Sequence, residues 1–349
     1  LYELAQFNKL IVQYTSKFYK ESLKTAEKLI SSESGYSPEA YFYMIKSQID
    51  LKNYDDALKN ILRGSECFPL QSFRFEQLKA MMLKNQGRYE DAKKLLHSIL
   101  RKHPYHSASH LTLAQIMGEE GGAVQAILGF QMAIISNRAS TSLMSSFSGM
   151  TDLIHGNFER KREKDNPDFY TLVNSLIESG LALKEDYKPS LSLKYVTNNV
   201  TDLIFNQLSY QAKSKDFTMS YYVKFLDEVK RAGLENGYIL YVMSVINHKS
   251  VKKVLSNYKS ELESFEKFSF EYWNEEINKN KFEVNGFIDE RDYIMDNQGI
   301  LTAFGKRNKE NIKIGKWTFL YPSGKIAAQT EYNENGNLTG ENIWYSEEG

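Results

Sequence analysis

The chain has 349 residues, 42% of them hydrophobic, and 44 Lys+Arg balance 44 Asp+Glu. Zero formal charge supplies no global field to hold nucleic acid or an anionic membrane surface, and the apolar content is too high for a disordered chain. The length allows several domains or one extended repeat array, and a single cysteine, Cys67, excludes an intramolecular disulfide while fitting cytosol or periplasm equally.

The sequence begins at Leu1 rather than Met, so residues removed by processing are expected before it, a secretory leader being one form they could take. The longest apolar run, Tyr238–Met243 with Val245 and Ile246 after Ser244, falls short of the ~20 residues a spanning helix needs. No transmembrane segment is expected.

Self-similarity is plain near the N-terminus. NYDDAL (Asn53–Leu58) aligns with RYEDAK (Arg88–Lys93) 35 residues later, and Pro69 and Pro104 then fall in register. A third copy follows after 34 residues, with Leu113, Ala114, Gly121, Ala126, Phe130 and Ala133 in matching places, and a weaker one, Phe18–Leu23, precedes by 35. Ala57, Ala92 and Ala126 leave room where paired helices approach, Tyr54 and Tyr89 cover the junction, and each proline stops a helix. The pattern resembles the tetratricopeptide repeat, with departures at Ile45, Gly64 and Ile99, where that repeat has small residues or alanine. We assign residues 1–138 to it.

The resemblance implies a concave surface lined by the first helix of each repeat. Phe42, Lys46, Arg74, Gln77, Met81 and Leu111 would meet a bound peptide or partner helix there, beside Glu39 and Asp50. Repeats of this kind that clamp a terminal carboxylate use Lys and Asn at positions that here hold mostly other residues, so that ligand is not expected. Packing of the array against the next domain is the alternative use of the surface.

Residues 139–281 keep a helical period. Phe169, Leu172, Val173, Leu176, Ile177 and Leu181 share one face, and further stripes follow in Val200–Leu208, in Tyr222, Phe225, Leu226 and Val229, around Leu240, and in Leu262–Ile277. This stretch is a separate helical domain or a diverged continuation of the repeats. The mixed charges of Glu159–Asp165, ahead of Asn166-Pro167, read as an exposed connection.

No catalytic constellation emerges. His97, His103, His106 and His110 invite a zinc reading, but Pro104 splits them between two helices and a turn, with no cysteine near; helix-end histidines are the simpler account. Gly299 to Gly305-Lys306-Arg307 has one residue too many for a phosphate loop and Arg where the hydroxyl belongs. Ser148 lacks the first glycine of a nucleophile elbow, and Cys67 reads as a small packing residue at a helix end. No enzymatic activity, metal or cofactor is expected.

After Phe282 the period changes. Trp317, Phe319 and Tyr321 alternate with Thr318 and Leu320, Pro322-Ser323-Gly324 supplies a turn, and Ile326, Ala328, Thr330 and Tyr332 continue the alternation to Asn333–Gly336. Gly299, Gly324 and Gly349 stand 25 residues apart, as do Gly315 and Gly340, so the hairpin repeats. G-K-W-x-F-x-Y-x-x-G-K followed by a strand and N-x-x-G resembles the MORN-variant repeat, sometimes labelled an antitoxin repeat, over residues 282–349. Ile300–Phe304 and Asn342–Ser346 would be flanking copies, although Trp344 lies 27 residues after Trp317, two places out of register. The aromatics either hold a thin sheet together or, through Trp317, Tyr321 and Trp344, contact a partner. The last copy breaks off at its turn glycine, so further residues or a partner strand are expected to complete it.

The fold expected is mainly α: a tetratricopeptide-like α-solenoid, a helical region and a small C-terminal antiparallel β-hairpin repeat. The two repeats are similar to those combined in bacterial cell-envelope proteins. That implies a non-enzymatic protein–protein interaction module, a scaffold or adaptor, with periplasm or envelope favoured over cytoplasm. Antitoxin-like regulation through the C-terminal β repeats is the alternative.

Overall fold

The computed structural model describes residues 2–32, 37–136, 142–154, 158–159, 161, 170–171, 192–246, 249–279, 283–284, 287–288, 292–295, 301–308, 310, 312–321 and 326–347. Among these, helices run as far as Lys279 and strands follow. The chain is mainly α, with helices packed in tandem pairs, and ends in a small antiparallel sheet. Two compact units divide the helices, one ending at His103 and the other running from Pro104 to Lys279; the strands group with the first. Among the described residues no helix is long and apolar enough to cross a membrane.

The first unit holds α1 (Tyr2–Thr15), α2 (Tyr19–Ser31), α3 (Ser37–Asp50), α4 (Tyr54–Cys67), a 3-10 turn at Pro69–Gln71, α5 (Ser72–Asn85) and α6 (Tyr89–Lys102). Each helix packs on the next, and α3 also touches α1 and α5, so the odd helices form one continuous layer. Each pair turns in the same way: Lys17, Lys52 and Gly87 adopt φ of 64°, 58° and 73°, and Gly121 in the second unit follows with 84°. The next residue's N–H reaches back to a carbonyl five residues earlier, Phe18 to Gln13, Asn53 to Gln48, Arg88 to Leu83 and Gly122 to Met117. This left-handed helix stop recurs every 35, 35 and 34 residues. The helical repeat is therefore structural.

Ala26, Ala40, Ala57 and Ala92 are wholly buried at the helix contacts, and Leu10, Ile45, Leu78 and Leu96 fill the spaces between them. The departures from the repeat pattern have local reasons. A side chain at Gly64 would begin 2.7 Å from the ring of Phe75, so glycine there is the complement of a large residue on α5.

The second unit contains α7 (Ser107–Glu119), α8 (Ala123–Ser136), α9 (Ser142–Ile154), α10 (Ser192–Gln207), a π-helical turn at Thr218–Val223, α11 (Lys224–Arg231), α12 (Glu235–Met243), α13 (Lys249–Asn257) and α14 (Lys259–Lys279). Every residue of α8 is buried, as its apolar sequence on all sides requires, and it packs against α7, α9, α12 and the π turn. Its buried amide is satisfied in both directions: Gln131 accepts from the Tyr238 hydroxyl and donates to Thr201 Oγ1, each at 2.8 Å. Around it lie Phe205, Tyr221, Tyr222, Phe225, Tyr238, Phe265 and Trp273 in edge and stacked contacts. Most of the helix expected from Phe169 to Leu181 lies outside the described residues, as does most of the charged connection before it. Tyr170, within them, donates to Asp216 Oδ1 at 2.6 Å.

The strands are β1 (Glu283–Val284) and β2 (Phe287–Ile288), paired with each other, then β3 (Asp292–Met295), β4 (Leu301–Arg307), β5 (Lys313–Leu320), β6 (Ile326–Tyr332) and β7 (Leu338–Trp344) in an antiparallel meander. Hairpin β6–β7 copies β4–β5 at the 25-residue offset. The first pairs Phe304 with Thr318 and Lys306 with Ile314; the second pairs Gln329 with Ile343 and Glu331 with Thr339, so both carry the same bulge. Asn308 Oδ1 accepts from the N–H groups of Glu310 and Ile312, and Asn333 Oδ1 from those of Asn335 and Asn337, all at 3.0 Å. Gly315 and Gly340 follow with φ of 63° and 73°. The turn at Pro322–Gly324 and the glycines Gly299 and Gly349 lie outside the described residues.

Candidate functional site

Helical spacing places Glu39, Phe42, Lys46 and Asp50 along one side of α3 at intervals of three and four residues. The layer formed by α1, α3 and α5 brings side chains of its neighbours against that side. Lys46 Nζ lies 4.4 Å from the ring centre of Tyr14 on α1, 5.3 Å from Phe42 and 5.6 Å from Tyr43. The guanidinium of Arg74 on α5 sits 5.2 Å from the other member it shares, Phe42, and donates to Glu39 Oε1 at 3.0 Å and Gln71 Oε1 at 2.6 Å. Tyr14 donates to Asp50 Oδ2 at 2.7 Å. Phe42, Lys46 and Arg74 thus form one cluster.

Its electrostatics follow from partial burial. Desolvation pulls the Lys46 ammonium below the ordinary lysine range, and the Asp50 carboxylate opposes that only in part. Burial, then the hydrogen bond to Asp50, keeps Tyr14 a neutral phenol far above its usual range, and burial raises Tyr43 as well. Lys46 makes no ion pair with a described residue, in contrast to Arg74. An ammonium over three ring faces gains cation–π energy, roughly 0.5–2 kcal/mol per contact, but its N–H donors still face open space. Such a cluster can hold an extended ligand by its carbonyl or carboxylate oxygens, flanked by aromatic contact.

The remaining residues singled out on this surface have other surroundings. Gln77 is buried at 3% exposure, Met81 packs against the first unit's core, and Leu111 is a half-buried residue of α7 in the second unit. Tyr14 and Tyr43 complete the cluster without having been singled out by sequence.

In the sheet, Trp317 is wholly buried and donates from Nε1 to the Lys306 carbonyl at 2.9 Å. Lys313 Nζ lies 4.8 Å from the ring centres of both Trp317 and Phe319, and burial lowers its pKa, with Arg307 adding to the effect. Tyr321 is half-buried and donates to the Tyr345 carbonyl at 2.8 Å. Trp344 is 77% exposed. Of these aromatics, therefore, Trp344 presents its ring to solvent.

The four histidines have separate settings. His103 stacks on Phe73 at 4.0 Å, His106 Nδ1 meets Ser109 Oγ at 2.8 Å, and His110 is buried between Tyr222 and the Pro104 carbonyl. Burial holds His97 and His103 down to about 3. Among the described residues no group of three or more His, Cys, Asp or Glu side chains is arranged to hold a metal. No protein-family model, curated protein or solved structure matches the chain.

Proposed function

We propose that the chain is a tetratricopeptide-type scaffold or adaptor, which holds an extended segment of a partner protein against the layer of α1, α3 and α5, and that its C-terminal hairpins are MORN-variant repeats. The observation that carries this reading is Lys46, held over Tyr14, Phe42 and Tyr43 without an ion-pair partner among the described residues. A partly desolvated cation without an acceptor is costly to maintain in a surface that serves only packing. An acceptor brought by a ligand would offset that cost and would be worth more there than in open water. The combination of a helical repeat with β hairpins is the basis for placing the assembly in a bacterial cell envelope.

A photo-crosslinking residue in place of Phe42, compared with one in place of Leu62, which is 56% exposed on α4, tests the site in cells. Crosslinks to a defined partner at position 42, absent at position 62 and lost when Lys46→Met and Arg74→Ala are added, support the groove. Equal crosslinking at both positions, or crosslinks indifferent to those changes, would overturn it.

A second reading, antitoxin-like regulation through the C-terminal strands, draws on the exposure of Trp344. It requires that Trp344→Ser abolish partner capture while Lys46→Met leaves it intact, which is the reverse of the outcome expected for the groove.

A further inference from the structure

Among the described residues β7 pairs with β6 alone and closes one side of the sheet. Its large apolar side chains stand in water: Leu338 is 56% exposed, Ile343 42%, Trp344 77% and Tyr345, just after the strand, 40%. Equivalent positions inside the sheet are covered, with Trp317, Ala303 and Ala328 all at 3% or less. A long apolar edge is a template for another strand, and natural sheets ordinarily blunt it with charge or with a bulge turned outward.

The bulge of β7 does not blunt it. It faces β6, as the equivalent bulge of β5 faces β4. On its other side β5 runs in unbroken register with β6, pairing Gly315 with Tyr332, Lys316 with Glu331, Trp317 with Thr330, Thr318 with Gln329 and Phe319 with Ala328. Since β7 repeats β5 at the 25-residue offset, its free side repeats the side of β5 on which β6 is seated. The chain therefore contains its own template for what fits there.

We propose that β7 accepts, in antiparallel register, an extended strand of another polypeptide with the pattern small residue, any residue, β-branched residue, Lys or Arg, aromatic residue. Each requirement is the β5–β6 pairing carried forward. Trp344 stands in the place of Phe319, which is opposite Ala328, so a small side chain must lie beneath the indole. Gly340 stands in the place of Gly315, opposite an aromatic ring. The one inversion concerns charge. Lys316 of β5 is opposite Glu331, but the residue 25 positions on is Glu341, so the incoming strand must carry a base where β6 carries an acid. This inference does not depend on the helical groove.

The experiment uses the full chain and a synthetic peptide of the Ile326–Tyr332 sequence with Glu331→Lys. The peptide contains no tryptophan, and Trp273 and Trp317 are buried at 2% and 0%, so a change in solvent-exposed tryptophan emission reports Trp344. Saturable binding, a blue shift and loss of acrylamide quenching are expected, with the unmodified Glu331 peptide at least ~10-fold weaker, about 1.4 kcal/mol. Glu341→Lys should reverse that preference, and Trp344→Ser should remove the emission change. Lack of saturation up to ~1 mM peptide, equal affinity for the two peptides, or a preference unchanged by Glu341→Lys would each overturn the proposal.

Discussion

The indole of Trp317 rests on the bare α-carbon of Gly305 in the neighbouring strand, where a β-carbon would run into three atoms of the ring. The ring cannot move aside, because it is wholly buried and its Nε1 is tied to the Lys306 carbonyl. Gly305→Ala is expected to destabilise the protein by about 1–3 kcal/mol through overpacking. Urea unfolding of the two proteins checks the magnitude. The mechanism is checked by repeating the substitution with Trp317→Leu present, where its cost should fall by at least half; an equal cost would mean that the backbone, not the ring, rejects the side chain.

Asn308 and Asn333 organise the two equivalent hairpin loops, each accepting from two backbone N–H groups. Replacing either with alanine leaves those donors to water and should cost about 1 kcal/mol. The two losses should not add. Asn308 Nδ2 donates to the Glu334 carbonyl at 3.2 Å, so the first loop is braced on the second. A double-mutant cycle by chemical denaturation is expected to show coupling of about 0.5 kcal/mol or more, and strict additivity would show that the loops fold independently.

Lys52 stops α3 with φ of 58°, a conformation that Gly87 and Gly121 adopt at equivalent turns without a side chain to strain. Its side chain is exposed. Lys52→Gly should therefore raise stability by up to ~1 kcal/mol, while Gly87→Ala, at φ of 73°, should lower it by about the same amount. Opposite shifts in thermal midpoint for the two variants are the expected result.

These turns also show what was legible in the sequence. The 35-residue period could be read from Ala57, Ala92 and the prolines because each repeat solves the same helix contact, and the helix stops at Lys17, Lys52, Gly87 and Gly121 obey the same spacing. Phe42, Lys46 and Arg74 followed from that period, since one repeat offset and one helical turn bring them onto one surface. Tyr14 escaped because it belongs to the weakest copy, and Gln77 looks accessible by spacing yet is buried, since helix spacing cannot say how closely the adjacent helix approaches. In the sheet, the apparent misregister of Trp344 against Trp317 has a simple origin. Trp344 is the counterpart of Phe319, both paired with Ala328, and the counterpart of Trp317 is Asn342. Matching tryptophan to tryptophan was the wrong alignment, whereas Asn308 and Asn333 carried the right one.

His110 supplies a pH dependence whose sign is fixed by hydrogen bonding. Its Nε2 lies 2.8 Å from the Pro104 carbonyl, which can only accept, so the proton is on Nε2 and Nδ1 accepts from the Tyr222 hydroxyl at 2.9 Å. A second proton on Nδ1 would remove that acceptor and place a charge in a wholly buried site among aromatic rings, and burial accordingly holds His110 down to about 4 from an ordinary 6.5. The unfolded chain takes up the proton as pH falls through 6.5, while the folded chain takes it up only near 4. Stability is therefore complete above 6.5 and declines on acidification between those values, with a slope approaching ~1.4 kcal/mol per pH unit for one such group. His97 and His103, held down to about 3, act in the same direction and extend the decline below 4. Urea midpoints measured from pH 8 to pH 4 should fall steadily below 6.5. His110→Gln, which keeps a donor for the Pro104 carbonyl, should lower stability at pH 8 but flatten the decline between 6.5 and 4 by about one proton's worth; an unaltered slope would place the titration in groups other than His110.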